Sequence, residues 1–181
     1  MNYLGKYSNL RLVVEDDASA ILALRLDARL NKYLSCTNAN IDEQIKWIRA
    51  YKKRENDGRE FYFAIEDLPG NMLGTIRLYN IDKRSSTFTI GSWIMRQGSD
   101  PRSGVEALLA AERYAYLQIG LYLNHFDVRR ANKTVLKFHE QMGAQIVDED
   151  ADNLYLILDK ASFLTYLASS RLKIEIGTFY A

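Results

Sequence analysis

Between Phe88 and Leu109 the rhythm of apolar side chains changes once, from every second residue to every third or fourth. That change limits what the rest of the chain can be. In FTIGSWIM, residues Phe88, Ile90, Ser92 and Ile94 fall on one face of an extended segment, and Thr89, Gly91, Trp93 and Met95 on the other. Polar residues and turn formers run from Arg96 to Gly104. After Gly104, Val105, Leu108, Leu109, Ala115 and Ile119 take helical spacing, and Gly120 marks the stop. The first turn of such a helix leaves N–H groups without intrahelical partners, and with the positive end of the dipole they favour an anion, above all a phosphate. Ser103 and Gly104 have little bulk, so a diphosphate can approach the backbone, and Arg96 and Arg102 add charge-assisted donors. The same residues also suit a plain strand-to-helix connection with solvated arginines.

The flanking segments supply the other layers. Leu10, Leu12 and Val14 alternate as a first strand, Asp16 or Asp17 caps a helix with Ile21, Leu24 and Ala28 on its inner face, and Asp42 caps a second with Ile45, Ile48 and Tyr51 inward. Phe61 to Glu66, Met72 to Leu78 and Phe88 to Met95, joined by short polar turns, read as an antiparallel meander. Leu123 to Val128 is a strand parallel to Phe88–Met95 because a helix separates them. A helix from Asn132 to Met142 and strands at Ala144–Val147 and Leu154–Leu158 follow. The expected fold class is α/β (α+β), a mixed, mostly antiparallel central sheet with helices on both faces.

With 181 residues, 48% of them hydrophobic, the chain suits one domain, placed at 1–168, followed by a tail at 169–181 read as an extra strand or interface arm. A net charge of +1 gives no electrostatic case for nucleic acid or an acidic membrane. No run approaches the ~18 apolar residues of a bilayer span, the N-terminus lacks the apolar core of a secretion signal, and the single Cys36 excludes an internal disulfide framework. A cytoplasmic protein is the expectation. Apolar Ile174, Ile176 and Phe179 in the tail leave a homodimer open.

With its strand–loop–helix at 88–109 and the segment ANKTVLKFHEQMGA at 131–144, the chain resembles the GNAT superfamily of N-acetyltransferases over residues 8–160, in the branch of ribosomal-protein and amino-sugar acetyltransferases. The resemblance implies acetyl-CoA as acyl donor. It implies that Trp93, Ile94, Met95 and Arg96 border the pantetheine arm, and that Arg102, Ser103, Gly104 and Val105 meet the diphosphate. The family's Arg/Gln-x-x-Gly-x-Gly/Ala pattern is eroded here to Asp100-Pro101-Arg102-Ser103-Gly104-Val105, which puts the donors to that diphosphate in doubt. Asn132 matches a CoA-contacting asparagine and is equally suited to cap its helix. His139 stands seven residues on, where the family often has a tyrosine that protonates the departing thiolate; a hydrogen-bonded core histidine is the alternative.

Acetyl transfer needs a neutral amine, so something must take its proton. His125 and Asp127 share one face of their strand and are the base candidates, or else a solvated polar face. By family analogy the acceptor pocket lies between the first two helices, with Tyr33, Arg77 and Tyr79 as lining residues. The expected partner is a small-molecule amine, an amino sugar first, with a peptide N-terminus or a non-catalytic acyl-CoA-binding role as alternatives. No metal site is expected.

Overall fold

A computed structural model describes residues 1–30, 37–169 and 179–180. Its strands are β1 (Asn2–Leu4), β2 (Asn9–Leu12), β3 (Phe61–Glu66), β4 (Met72–Asp82), β5 (Thr87–Met95), β6 (Leu123–Arg129), β7 (Gln145–Glu149), β8 (Asn153–Asp159) and β9 (Phe179–Tyr180). The helices are α1 (Ala18–Leu26), α2 (Ile41–Asn56), α3 (Pro101–Arg113), α4 (Lys133–Gln141) and α5 (Lys160–Ser169). The strands form one sheet in the order β7-β8-β6-β5-β4-β3-β2-β1-β9. Among the described residues every neighbouring pair is antiparallel except β5 with β6, as the helical crossover between them requires. The mixed, mostly antiparallel fold expected from the sequence is the one found.

Alternation along the strands divides the core into two layers. Phe63, Ile65, Ile76, Leu78, Phe88 and Ile90 pack with Leu108, Leu109 and Ala111 of α3, and the same cluster continues to Phe126, Leu136 of α4 and Phe163 of α5. On the other face Tyr62 and Ala64 pack with Ile21 of α1 and Ile48 and Tyr51 of α2. Arg77 and Tyr79, out of phase with Ile76 and Leu78, therefore point to the α1/α2 side.

Several local expectations are corrected. The first strand is preceded by β1, and it ends at Leu12; Val13 turns into the core while Val14 is exposed. Asp17 does not cap α1 with its side chain: its carboxylate accepts from Val14 N at 2.8 Å and pairs with the Arg11 guanidinium. Asn40, not Asp42, caps α2, accepting from the Asp42 and Glu43 amides. Ala28 lies exposed beyond the end of α1. Phe179 is not spare surface. It packs on Tyr3, Phe63 and Tyr114 within the chain, with ring centroids 5.4, 5.5 and 4.8 Å away. Ile174, Ile176 and Cys36 lie outside the described residues.

Candidate active site

β5 and β6 pair only at Thr87 with Leu123 and Phe88 with Asn124. Asn124 makes the last tie: its Oδ1 accepts from Ile90 N at 3.1 Å while its Nδ2 donates to Glu112 Oε1 of α3 at 2.8 Å. Beyond Ile90 the strands part. A cavity of about 370 Å³ fills the gap, lined by Ile90–Trp93 of β5, Phe126–Arg129 of β6, Asn132, Val135 and His139 on the α4 side, and Arg25, Arg77 and Tyr79 on the α1/α2 side. It thus passes through the sheet from one helical layer to the other.

The alternation expected for β5 fails at Ser92. Thr75 pairs with Ile94 but Arg77 with Gly91, so β5 carries one extra residue, and Ser92 sits at φ 48 in the left-handed region. Such a bulge shifts the phase of every later side chain. Trp93 and Met95 join Phe88 and Ile90 on the α3 face instead of opposing them, which leaves Ile94 on the other side. Gly104 lies directly beneath: a Cβ there would come 3.1 Å from Met95 Cγ. Glycine at 104 thus lets α3 pack close on β5 without pressing on Met95.

His139 is 3% exposed and enclosed by aromatic rings, with Phe126 at 4.5 Å, Phe138 at 6.0 Å and Trp93 at 6.4 Å between centroids. Burial pushes its imidazole down to about 4, so it is neutral near pH 7. Its Nδ1 and the Trp93 Nε1 are buried without a hydrogen-bond partner among the described residues. Asn132 caps α4, accepting from Val135 N at 3.4 Å, and also lines the cavity.

On the opposite side Arg77 stacks over Tyr79 at 4.2 Å, and Tyr79 is raised above the usual tyrosine range chiefly by burial, with the Asp127 charge adding to the rise. A second cavity of about 310 Å³, lined by Thr37, Asn38, Glu43, Gln44, Trp47 and Tyr62, shares Arg25, Arg77 and Ser92 with the first. Asp127 borders the first cavity; His125, exposed on the same strand face, does not. Tyr33 lies outside the described residues.

The N-terminus of α3 departs from the expected open loop. The helix starts at Pro101, so Arg102, Ser103, Gly104 and Val105 belong to its first turns. Asp100 is the cap: it accepts from Arg102 N at 2.9 Å and holds the Arg102 guanidinium, while its carbonyl accepts from Ser103 N. Ser103 is 2% exposed and donates to Tyr7 O at 2.8 Å. Arg96 is exposed, its amide donating to Leu73 O. None of Ile94, Met95, Arg96 or Arg102–Val105 lines the cavity at the gap. Arg25, Trp47 and the Asn124–Glu112 tie were not anticipated from the sequence; nothing in their local spacing marks them.

A family model described as an acetyltransferase (GNAT) domain matches residues 9–145. The chain belongs to the GNAT acetyltransferases. Among solved structures, apo FdhC, described as a nucleotide-linked sugar GNAT, is 37% identical, with a TM-score of 0.83 over 91% of this chain and 93% of that one. A spermidine N-acetyltransferase from Vibrio cholerae, solved with CoA and spermine, is 18% identical with a TM-score of 0.74 over 87% and 98%, and shows the shared GNAT fold. A dodecameric form of spermidine N-acetyltransferase from Vibrio cholerae gives 0.71 at 18% identity, over 91% of this chain and 99% of that one. A search of curated proteins found no match.

Proposed function

We propose that this GNAT enzyme transfers an acetyl group from acetyl-CoA to the primary amine of an amino sugar. The observation that carries this reading is the cavity through the β5/β6 gap, which joins Trp93, Asn132 and His139 on one side of the sheet to Arg77, Tyr79 and Asp127 on the other. The 37% identity to a nucleotide-linked sugar GNAT favours a sugar over a polyamine. The gap also fits the donor: its strand edges are unpaired there, and two buried ring nitrogens, Trp93 Nε1 and His139 Nδ1, have no hydrogen-bond partner among the described residues. Trp93 would flank the pantetheine arm, Asn132 would face the rest of the cofactor, and the first turn of α3, outside the cavity, would meet the diphosphate.

Acetyl-CoA supplies an activated acyl carbon. The amine nitrogen bonds to that carbon, the carbon–sulfur bond breaks, the amine loses a proton and the thiolate gains one. Asp127, on the acceptor side, is the group placed to receive the amine proton, directly or through water. His125 lies outside the lining and takes no part in this step. His139, kept neutral by its aromatic surround, offers the sulfur a hydrogen bond from imidazole N–H rather than a proton from imidazolium. The thiol's own pKa of ~8.5 makes it a tolerable leaving group even so.

The test is release of CoA thiol from acetyl-CoA with a panel of amino sugars, polyamines and peptides, paired with thermal shift by acetyl-CoA. Turnover on an amino sugar supports the proposal. Stabilisation by acetyl-CoA with no turnover on any amine would instead identify an acyl-CoA-binding module, and turnover only on peptides would move the acceptor class.

A further inference from the structure

The two cavities meet at a pair of guanidinium groups. Arg25 on α1 and Arg77 on β4 line both, with Ser92 beside them. They come from different layers and border the same two cavities. Each is braced. Arg25 Nε donates to Thr37 Oγ1 at 2.6 Å, and the Arg77 guanidinium lies between Tyr79 at 4.2 Å and Trp47 at 5.4 Å. The Glu60 carboxylate beside Arg77 is shared: its Oε2 accepts from Arg54 at 2.5 Å, and its Oε1 is 3.3 Å from Arg77 Nη1. Arg77 Nε has no hydrogen-bond partner among the described residues. Around the joined cavities the charged lining is Arg25, Arg77 and Arg129 against Asp127 and Glu43. A polycationic acceptor needs carboxylates where these arginines stand.

Resting on the amino-sugar reading above, we infer that the acceptor is a nucleoside diphosphate-linked amino sugar whose diphosphate is clamped between Arg25 and Arg77. A planar guanidinium presents paired N–H groups that match phosphate oxygens. The sugar amine then lies in the first cavity towards Asp127, and the nucleoside runs through the second past Gln44 and Asn38, where Trp47 supplies an aromatic surface. Volumes of about 370 and 310 Å³ suit the two ends of such a ligand, and neither cavity alone holds the whole of it.

The experiment uses the full chain saturated with CoA, so that the cofactor's own diphosphate seat is filled and CoA binding is established first. Calorimetric titration with UDP, dTDP, GDP and inorganic pyrophosphate reads the clamp without acetyl transfer. At least one nucleoside diphosphate binds. Arg25→Gln and Arg77→Lys each weaken it at least tenfold, with urea unfolding of both variants confirming that they fold. In parallel, kcat/KM for a nucleotide-linked amino sugar exceeds that for the unlinked sugar at least a hundredfold, and either substitution reduces that ratio at least tenfold. Equal UDP, dTDP and GDP binding by wild type and Arg25→Gln, or equal turnover of linked and unlinked sugars, overturns the inference. Pyrophosphate binding as tightly as every nucleoside diphosphate overturns its nucleoside part. Nucleotide binding that depends on both arginines, with no acetylation of any amine, leaves the clamp standing and rejects the acetyl-transfer reading.

Discussion

One carboxylate at the start of α3 decides how readily that end can hold an anion. Asp100 already supplies the negative charge that the helix terminus favours, and its pairing with Arg102 holds it below the usual carboxylate range. A diphosphate arriving there meets a like charge and a guanidinium already engaged. Asp100→Asn keeps a good capping acceptor and removes the charge. Acetyl-CoA is expected to bind about three- to tenfold more tightly to this variant by calorimetry, the scale of a helix-terminus charge effect; equal or weaker binding would show that the cofactor leaves Asp100 undisturbed. His139 yields a second expectation. Unfolded, it takes up a proton as pH drops below ~6.5; folded, burial delays this to about 4. Between those values the unfolded chain binds more protons, so stability rises with pH across the window and is lost on acidification, in total by about 3 kcal/mol. Urea unfolding of wild type and His139→Phe at pH 7, 5.5 and 4 should therefore show the difference between them shifting in favour of the variant by roughly that amount. A constant difference would mean that His139 takes up its proton as readily in the fold as in the unfolded chain.

At the scale of elements, the bulge in β5 builds the site by turning Trp93 towards α3 and α4. Ser92 occupies the left-handed region at φ 48, where a β-branched residue is strained by roughly 1–2 kcal/mol. Ser92→Val is expected to lose about that much stability in urea and, if it removes the bulge, to move Trp93 out of the gap and lower kcat/KM on any accepted amine. Ser92→Gly should retain both the bulge and the activity. A Ser92→Val protein as stable and active as wild type would show that the bulge is held from elsewhere. Element order from β2 to β8, the parallel β5/β6 pair and the face on which Arg77 and Tyr79 lie were all legible, because they follow from periodicity and from the crossover rule. The phase of Trp93 was not, since a bulge changes the count by one residue without changing composition. Nor was the seat of the N-terminal segment on α3. The buried Glu106 carboxylate accepts from the Lys6, Tyr7 and Ser8 amides at 2.9, 2.8 and 2.7 Å, a contact across about a hundred positions with no local signature. Asn40 and Asp42 are both good capping types, and only the backbone turn at Asn40 separates them. For the candidate site, residue identities were legible where a motif carried them, as at Asn132 and His139, and illegible where two distant elements had to meet, as at Arg25 and Arg77.

Across the whole molecule, the point at which the sheet opens is tied to a fully buried ionisable group. Glu112 is fully buried; through Asn124 it joins α3 to both β6 and Ile90 of β5, and its neighbour Tyr116 donates to Leu158 O of β8 at 2.5 Å. Burial pushes the Glu112 carboxyl up to about 8. It is therefore protonated in the fold at neutral pH, when an unfolded glutamate has already ionised. Here the folded state binds the extra proton. The contribution to stability is full below pH ~4.5 and declines as pH rises through about 8, by on the order of 5 kcal/mol. This runs opposite to the His139 contribution, so the two together place an optimum in the mildly acidic range. Glu112→Gln preserves an acceptor for Asn124 and cannot ionise. Its urea midpoint should match wild type near pH 5 and exceed it progressively towards pH 8, while the acid-side loss from His139 remains. If the two curves stay parallel instead, the carboxyl is ionised in the fold, and the opening between β5 and β6 is then braced by a buried anion rather than by a neutral hydrogen-bonded acid.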